Sequence, residues 1–322
     1  MSDGADEFAL IARHFAPLAQ TAAARGLLDD AALLENAGAL VVTTDTIVEG
    51  VHFLPDDPID LVAQKALRVN LSDIAAKGAA PHAYLVALQW PKARPAAQIA
   101  VFAQGLARDQ ASFGCALIGG DTTATPGPLA ITITMFGRAA AHTPARADAR
   151  VGDDVWVTGT IGDGVLGLAA RRGELAGLAK THLDFLTTRY QTPTPRAAFA
   201  PAIGRLAHAS MDVSDGLFGD AAKMASASAV RIEVDADALP FSEAALTWLD
   251  LQPDRREAIA HLANGGDDYE ILFTAAPAMR AALTEAADDI GLRLTRIGRV
   301  VAGAGLDAGG LPVGGHVHRI GA

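Results

Sequence analysis

Three aspartates fall within ten residues in MDVSDGLFGD, Met211 to Asp220, where a short apolar run meets a glycine. A carboxylate is costly to bury unless something positive neutralises it. Two of them about 4 Å apart repel by roughly 4 kcal/mol at an effective dielectric near 20. Asp212 and Asp215 therefore face water or share a cation. Similar settings recur as Asp29-Asp30 in GLLDDAAL, Asp45 in VVTTDT, Asp73 in NLSDIAAKGA, Asp121 in LIGGDTT and Asp267-Asp268 in NGGDDYEI. Hydroxyls accompany several of them: Thr43, Thr44 and Thr46 around Asp45, Thr122 after Asp121, and Ser214 between Asp212 and Asp215. Carboxylate, hydroxyl and water oxygens are what Mg²⁺ takes as ligands. Adjacent glycines let backbone N–H groups approach a phosphate closely. Any one of these aspartates alone reads first as a turn former or helix cap. Together they are explained by a multi-Mg²⁺ phosphate site, with Asp220 outside it on the following helix.

Other motifs point elsewhere. Gly162 to Gly167, GDGVLG, has the G-x-G-x-x-G spacing, follows an expected strand and opens an expected helix. A dinucleotide fingerprint also wants an acid about twenty residues on, at the end of the next strand. Asp184 has the spacing but lies in Thr181 to Tyr190, which reads as helical or irregular, so a structural glycine turn is the better reading. There is no G-x-x-x-x-G-K-[ST] and no H-E-x-x-H; the histidines show no zinc spacing, and His318 reads as a surface residue. Cys115, the single cysteine, sits in an apolar run as a small core residue; it excludes an internal disulfide framework and fits a reducing cytoplasm.

The 322 residues are half apolar and carry a formal charge of −11, which argues against a nucleic-acid binder. No apolar run reaches membrane-spanning length, and MSDGADEF lacks the basic-then-apolar pattern of a secretory signal. Helical spacing predicts an amphipathic helix from Asp6 to Leu18, through Phe8, Ile11 and Phe15. Strands are expected at Ala39 to Thr43, Ala83 to Leu88, Ala116 to Ile118 and Leu129 to Gly137. A helix opened by Asp57-Pro58 and another from Ala96 to Phe113 lie between them. His142 to Arg150 lacks periodicity and is read as a linker between residues 1–141 and 151–322. Beyond it, strands are expected at Asp154 to Thr158, Val230 to Val234, Tyr269 to Thr274 and Leu294 to Val301. Helices are expected around Val165 to Arg172, Pro195 to Ala209 and Met279 to Ile290. Alternating strands and helices predict two α/β or α+β domains.

Taken in order, DDAAL, TTDTIVEGVHF, NLSDIAAKGA, LIGGDTT, VTGTIGDG, MDVSDGL and GGDDYEI resemble the thiamine-monophosphate kinase family. That family is grouped with aminoimidazole-ribonucleotide synthetase and selenophosphate synthetase. The resemblance covers nearly the whole chain. It implies an N-terminal α/β domain whose sheet pairs with its twin in a homodimer, a C-terminal α/β domain, and nucleotide between the two. Carried over by position, it implies Asp30, Thr43, Thr44, Asp45, Asp73, Asp121, Asp212 and Asp215 as ligands of several Mg²⁺ ions. Gly120, Asp121, Arg146 and Ser214 are implied as ATP contacts, and His52 and Asp267 as contacts to thiamine monophosphate. The chain departs from the family pattern at three places. Leu28 precedes Asp29 where glycine is usual, Asp267 stands where glutamate is usual, and GHVHR at Gly315 to Arg319 lacks the usual aromatic.

The reaction so implied is direct transfer of the γ-phosphoryl group of ATP to a phosphate acceptor, in a cytoplasmic enzyme with no membrane or nucleic-acid partner. The alternatives are a relative with another acceptor and a non-catalytic Mg-nucleotide-binding subunit.

Overall fold

The computed structural model describes residues 7–27, 32, 34 and 38–315. The described residues form two compact units, one up to Ile74 together with Ala80–Ala139, the other Ala75–Ala79 together with Ala140 onward. Asp29, Asp30, Leu28 and the segment from His316 onward lie outside the described residues.

In the first unit, α1 (Glu7–Leu10) continues as a π-helical turn, Ile11–Phe15, and a 3₁₀ turn, Ala16–Leu18. The expected single amphipathic helix is thus three short pieces. Pro17 lacks the N–H that an α-helix interior needs and its ring crowds the preceding turn. Phe15 and Leu18 still point inward as the spacing required. The sheet is β1 (Leu40–Val48), β2 (Ala80–Pro91), β3 (Ala116–Thr125) and β4 (Ala130–Arg138), in the order β1-β4-β2-β3. Only the β2–β3 pairing within it is parallel. One face is covered by α2 (Ile59–Ala76) and α3 (Gln98–Phe113). Leu67, Leu71, Phe102 and Leu106 of the helices and Tyr84, Leu88, Ile131 and Ile133 of the sheet are buried. Trp90 meets Phe102 edge-on, and the Tyr84 hydroxyl donates to Gln110.

β1 and β3 run well past the apolar stretches that announced them. On the opposite face Val42, Thr44 and Thr46 of β1 stay exposed, as does Asp121 of β3. Apolar signal stops there, but threonine is β-branched and suits the pleated backbone, so the strand continues.

Where α2 starts, the Asp57 carboxylate turns back to accept the Leu54 amide (2.8 Å), while the Pro58 carbonyl accepts the first helical amides, Leu61 and Val62. Asp109 of α3, 1% exposed, accepts two bonds from the Arg68 guanidinium (2.6 and 2.9 Å) and one from Gln64 (2.7 Å). This bidentate pair ties α2 to α3 and so fixes the helix that carries Asp73.

The second unit holds a six-stranded sheet, ordered β10-β7-β9-β5-β8-β6. Its strands are β5 (Asp154–Thr158), β6 (Ala209–Val213), β7 (Arg231–Val234), β8 (Glu270–Ala275), β9 (Leu294–Val301) and β10 (Gly305–Asp307). Every pairing is antiparallel except β10 with β7. β5 and β8 are buried along their whole length because both faces are covered. Val155, Val157, Met211 and Leu272 join a core with α4 (Asp163–Arg171), α5 (Lys180–Gln191), α7 (Leu217–Ala227), α8 (Glu243–Asp250) and α9 (Arg255–Asn264). Trp156, Ile271 and Phe273 face the other way, onto α6 (Ala200–Leu206) and α10 (Arg280–Asp288), with Trp156 stacked on Phe273.

α8 and α9 were not foreseen, although each carries a start signal. Ser242 caps α8 through the Ala245 amide, and Asp254 caps α9 through the amides of Arg256 and Glu257. Among the described residues, no helix is long and apolar enough to cross a membrane.

Replacing Asp109 by alanine removes the buried acceptor that Arg68 and Gln64 share between α2 and α3. The expected loss is about 2 to 4 kcal/mol of unfolding free energy. Denaturant titration of the variant against wild type measures it, and an unchanged midpoint would show that the pair does not hold α2.

Candidate functional site

In the first unit the acids gather where β1 passes α2. The Thr43 hydroxyl donates to Asp73 Oδ2 at 2.5 Å, and the Asp45 amide donates to Asn70 Oδ1 at 3.1 Å. Asp73 and Asn70 lie three residues apart on α2, so one turn of the helix faces Thr43 and Asp45 together. Strand alternation sends Thr44 to the other face. There its hydroxyl meets Thr134 Oγ1 and the Ile133 carbonyl, both at 3.1 Å. The structure thus brings Thr43, Asp45 and Asp73 together and turns the Thr44 side chain away from them.

Gly120 and Asp121 sit on β3 opposite Val86 and Ala87. A Cβ on Gly120 would stand 1.9 Å from the Val86 carbonyl oxygen, so only glycine lets β3 pass at that distance. The exposed Asp121 that follows lines a cavity of about 580 Å³ with Leu85, Thr132, Thr134 and Phe136, beneath Ile11, Phe15 and Leu27.

His52 lies in the turn after β1. Its Nδ1 accepts the Val48 amide (3.0 Å), which places the proton of the neutral ring on Nε2 as a donor. Its carbonyl accepts from the buried Lys65 ammonium at 2.9 Å.

In the second unit Asp212 is half-buried near the end of β6, in register with Ile271. The loop after it is organised by Asp220 of α7. Asp220 is 1% exposed, and its Oδ2 accepts the amides of Ser214 and Asp215, both at 3.1 Å. Its Oδ1 meets the Lys223 ammonium at 2.9 Å, and Lys223 also reaches Asp215 at 2.6 Å. Burial raises the Asp220 carboxyl above its usual range, against the pull of Lys223. Burial also works against the lysine's charge, but Asp215 and Asp220 outweigh it and hold the ammonium above its ordinary pKa. Asp220, expected on the following helix and outside the constellation, is on α7, where its buried carboxylate shapes the Ser214–Asp215 backbone. The cation beside Asp215 here is Lys223, which the sequence reading missed although its spacing of three from Asp220 on a helix was available. Arg146 is exposed, and its carbonyl accepts the Ser228 hydroxyl.

The GGDDYE turn packs on this loop. The Asp267 amide donates to the Ser214 carbonyl (2.9 Å) and the Tyr269 amide to the Val213 carbonyl (2.8 Å). Asp267 (φ 70°) and Tyr269 (φ 52°) are both left-handed, at a cost of roughly 1 to 3 kcal/mol each that their surroundings must offset. The Tyr269 hydroxyl donates to Asp267 Oδ1 at 3.2 Å. Asp268, adjacent but fully buried, points the other way: its two oxygens accept the Gly162 amide (2.7 Å) and the Gly164 amide (2.9 Å). The anion site at the start of α4 is therefore filled by the chain's own carboxylate. A Cβ on Gly164 would come 2.5 Å from the Asp267 backbone, which explains the glycine there without a dinucleotide. β5 also pairs only antiparallel neighbours, unlike the parallel unit that a dinucleotide fingerprint opens.

Behind the turn lies a buried ionic cluster. Glu270 accepts from Thr158 (2.8 Å), Arg189 (2.9 Å) and both Nε and Nη2 of Arg196. Asp163 accepts from Ser242 (2.6 Å) and Thr160 (2.5 Å), with Arg189 Nε at 3.7 Å. Burial pushes Asp163 up against the pull of those two hydroxyls, and pushes Asp268 well up against its two backbone amides. Asp163, Asp268 and Glu270 face two guanidiniums, so the cluster holds one more carboxyl than it has cations.

Among the described residues, no three His, Cys, Asp or Glu side chains approach closely enough to hold a metal by themselves. Mg²⁺ is commonly held by one or two carboxylates with substrate phosphates completing its shell. The oxygen donors around Asp73 and those of Asp212 and Asp215 suit that kind of binding.

Residues 28–139 match the family described as AIR synthase related protein, N-terminal domain, and residues 150–309 its C-terminal domain. The chain is similar to the thiamine-monophosphate kinase of Caulobacter vibrioides, 44% identical over 306 residues, spanning 94% of this chain and 86% of that protein. Its fold is similar to the crystal structure of thiamine-monophosphate kinase from Stenotrophomonas maltophilia K279a, with a TM-score of 0.80, 39% identity, and 88% and 90% of the two chains covered. It is also similar to AaThiL complexed with AMPPCP and TMP, with a TM-score of 0.78, 32% identity, and 88% and 89% covered.

The buried Asp163 makes a signed prediction. A carboxyl whose folded pKa exceeds its unfolded value contributes most below the unfolded value and loses that contribution as pH rises through the folded one. Asparagine can satisfy Thr160 and Ser242, since a hydroxyl can donate or accept, and it does not titrate. Wild type should lose stability relative to Asp163→Asn as pH is raised from the ordinary carboxylate range toward neutrality. Denaturant unfolding at stepped pH reads the difference, and a constant gap would remove the titration of Asp163 from that window.

Proposed function

The chain belongs to the thiamine-monophosphate kinase family, and from this we propose that it transfers the γ-phosphoryl group of ATP to the phosphate of thiamine monophosphate, giving thiamine diphosphate and ADP. The acceptor is a phosphate monoester with a second pKa of about 6, so its attacking oxygen is already ionised at neutral pH. No general base is required, and the transfer is direct and in line, without a phospho-enzyme. The difficulty is electrostatic, because a dianion must approach a triphosphate.

One observation carries the reading: the acids sort into two groups. Asp109, Asp163, Asp220, Asp268 and Glu270 are buried and satisfied within the chain. Asp45, Asp73, Asp121, Asp212 and Asp215 remain half-buried or exposed on β1, α2, β3, β6 and the loop after β6. Those five, with Thr43 beside Asp73, are the proposed Mg²⁺-holding set, and Asp30 is proposed with them from the family pattern. Mg²⁺ supplies, when bound, the charge neutralisation that lets two anions approach. Gly120, Asp121, Arg146 and Ser214 are the proposed ATP contacts, with Gly120 and Ser214 offering backbone and hydroxyl, and Arg146 a cation. His52, through its Nε2 proton, and Asp267 are the proposed contacts to thiamine monophosphate. A homodimer formed through the first sheet belongs to the same proposal, and sedimentation velocity measures it. So does a cytoplasmic setting, which the single buried Cys115 suits.

Purified protein given ATP and Mg²⁺ with thiamine monophosphate should form equal amounts of ADP and thiamine diphosphate, and none with free thiamine. Nucleotide turnover without thiamine diphosphate would indicate another acceptor; nucleotide binding without turnover would indicate a non-catalytic subunit. Asp73→Asn and Asp212→Asn should each lower kcat by about 100-fold or more with unchanged circular dichroism. Full activity in either would sink its place in the ion-holding set.

A further inference from the structure

Asp267 is held in a backbone conformation that L residues rarely adopt, as is Tyr269 two positions on. Such a turn persists only where its surroundings over-determine it. Three of the holding contacts come from the loops already described: the Ser214 and Val213 carbonyls, and the α4 amides that grip Asp268. The fourth comes from elsewhere. Arg189, near the end of α5 and 9% exposed, donates from Nη2 to the Asp268 backbone carbonyl at 3.1 Å. That carbonyl lies between the two left-handed residues. The same Nη2 reaches Glu270 Oε1 at 2.9 Å, and Nε lies 3.7 Å from Asp163.

Charge neutralisation alone does not account for this placement. Arg196 already meets both Glu270 oxygens, one through Nε at 2.6 Å and the other through Nη2. What distinguishes Arg189 from Arg196 is the bond to the Asp268 carbonyl. A guanidinium is planar and its donors are fixed in direction, so Arg189, seated between Asp163 and Glu270, sets where that carbonyl can be. Moving the carbonyl rotates the peptide plane after Asp268 and shifts the turn that carries Asp267.

We propose that Arg189 is a positioning residue for the thiamine-phosphate substrate, acting through the Asp268 carbonyl to aim the Asp267 carboxylate. The proposal rests on the reading that Asp267 meets that substrate. Arg189 itself touches neither substrate nor nucleotide. Its loss acts on acceptor recognition and leaves nucleotide recognition alone.

The experiment compares steady-state kinetics of four variants with circular dichroism and thermal melts as fold controls. Arg189→Met should raise KM for thiamine monophosphate about tenfold, with KM for ATP and kcat within about twofold of wild type. Arg189→Lys keeps the charge but not the fork, and should recover part of that loss; it is the decisive variant if the methionine form does not fold. Arg196→Met should lower the melting temperature without moving KM for thiamine monophosphate. Asp267→Asn should raise KM for thiamine monophosphate as Arg189→Met does. A raised KM in Asp267→Asn with wild-type KM in folded Arg189→Met or Arg189→Lys overturns the positioning role and leaves the substrate contact standing. A wild-type KM in Asp267→Asn overturns the substrate contact, and the proposal with it. Equal KM shifts in the Arg189 and Arg196 variants would reduce both to structural members of one cluster.

Discussion

Neutralisation of carboxylates is the constraint on which the rest of this structure depends. Thirty-seven acids against twenty-six lysines and arginines leave a surplus, and the chain deals with it in two ways. Some acids are taken inside and given partners there. Asp154 shows the usual solution, with Arg280 first and Arg296 second holding its carboxyl below the ordinary range. Asp268 shows the less usual one, in which a helix terminus stands in for a cation. Others stay half-buried or exposed, as Asp73, Asp121 and Asp212 do.

The two sheets serve this division differently. The first keeps one face on its helices, and β1 meets α2 along the line where Asp45 and Asp73 stand. The second is covered on both faces, and its loops stack backbone on backbone, as the close passage of Gly164 beside Asp267 shows. Close passage requires glycine, since the Asp267 backbone leaves no room for a Cβ on Gly164.

The strand positions and the acid-bearing motifs were legible in the sequence, because apolar runs and their punctuation report burial directly. β5 and β9 stand where their apolar runs placed them. Strand ends were less legible. β1 and β3 continue through threonine-rich stretches where burial on one face has ceased, and hydropathy has nothing to report there. The division among the aspartates was legible for Asp220, read as outside the site on its helix, but the local pattern did not separate Asp267 from Asp268. Asp267 and Asp268 are neighbours of the same type, yet one is half-buried beside Tyr269 and the other is sealed against α4. Only backbone direction separates them, and that direction is set by residues as distant in sequence as Gly162 and Arg189. The same limit hid the partner of Asp215, because Lys223 becomes its neighbour only once α7 has formed.

The carboxylate of Asp268 on the amides at the start of α4 has a thermodynamic meaning. A ligand tethered to its own receptor is present at an effective concentration that a free anion at cellular levels does not match. The amides of Gly162 and Gly164 are thus occupied by the chain's own carboxylate, which a phosphate would have to displace. The GGDDYE turn loses its conformational freedom when the chain folds, not when substrate arrives. Ordering that segment is then absent from the free energy of binding, and a small ligand can be held by few contacts.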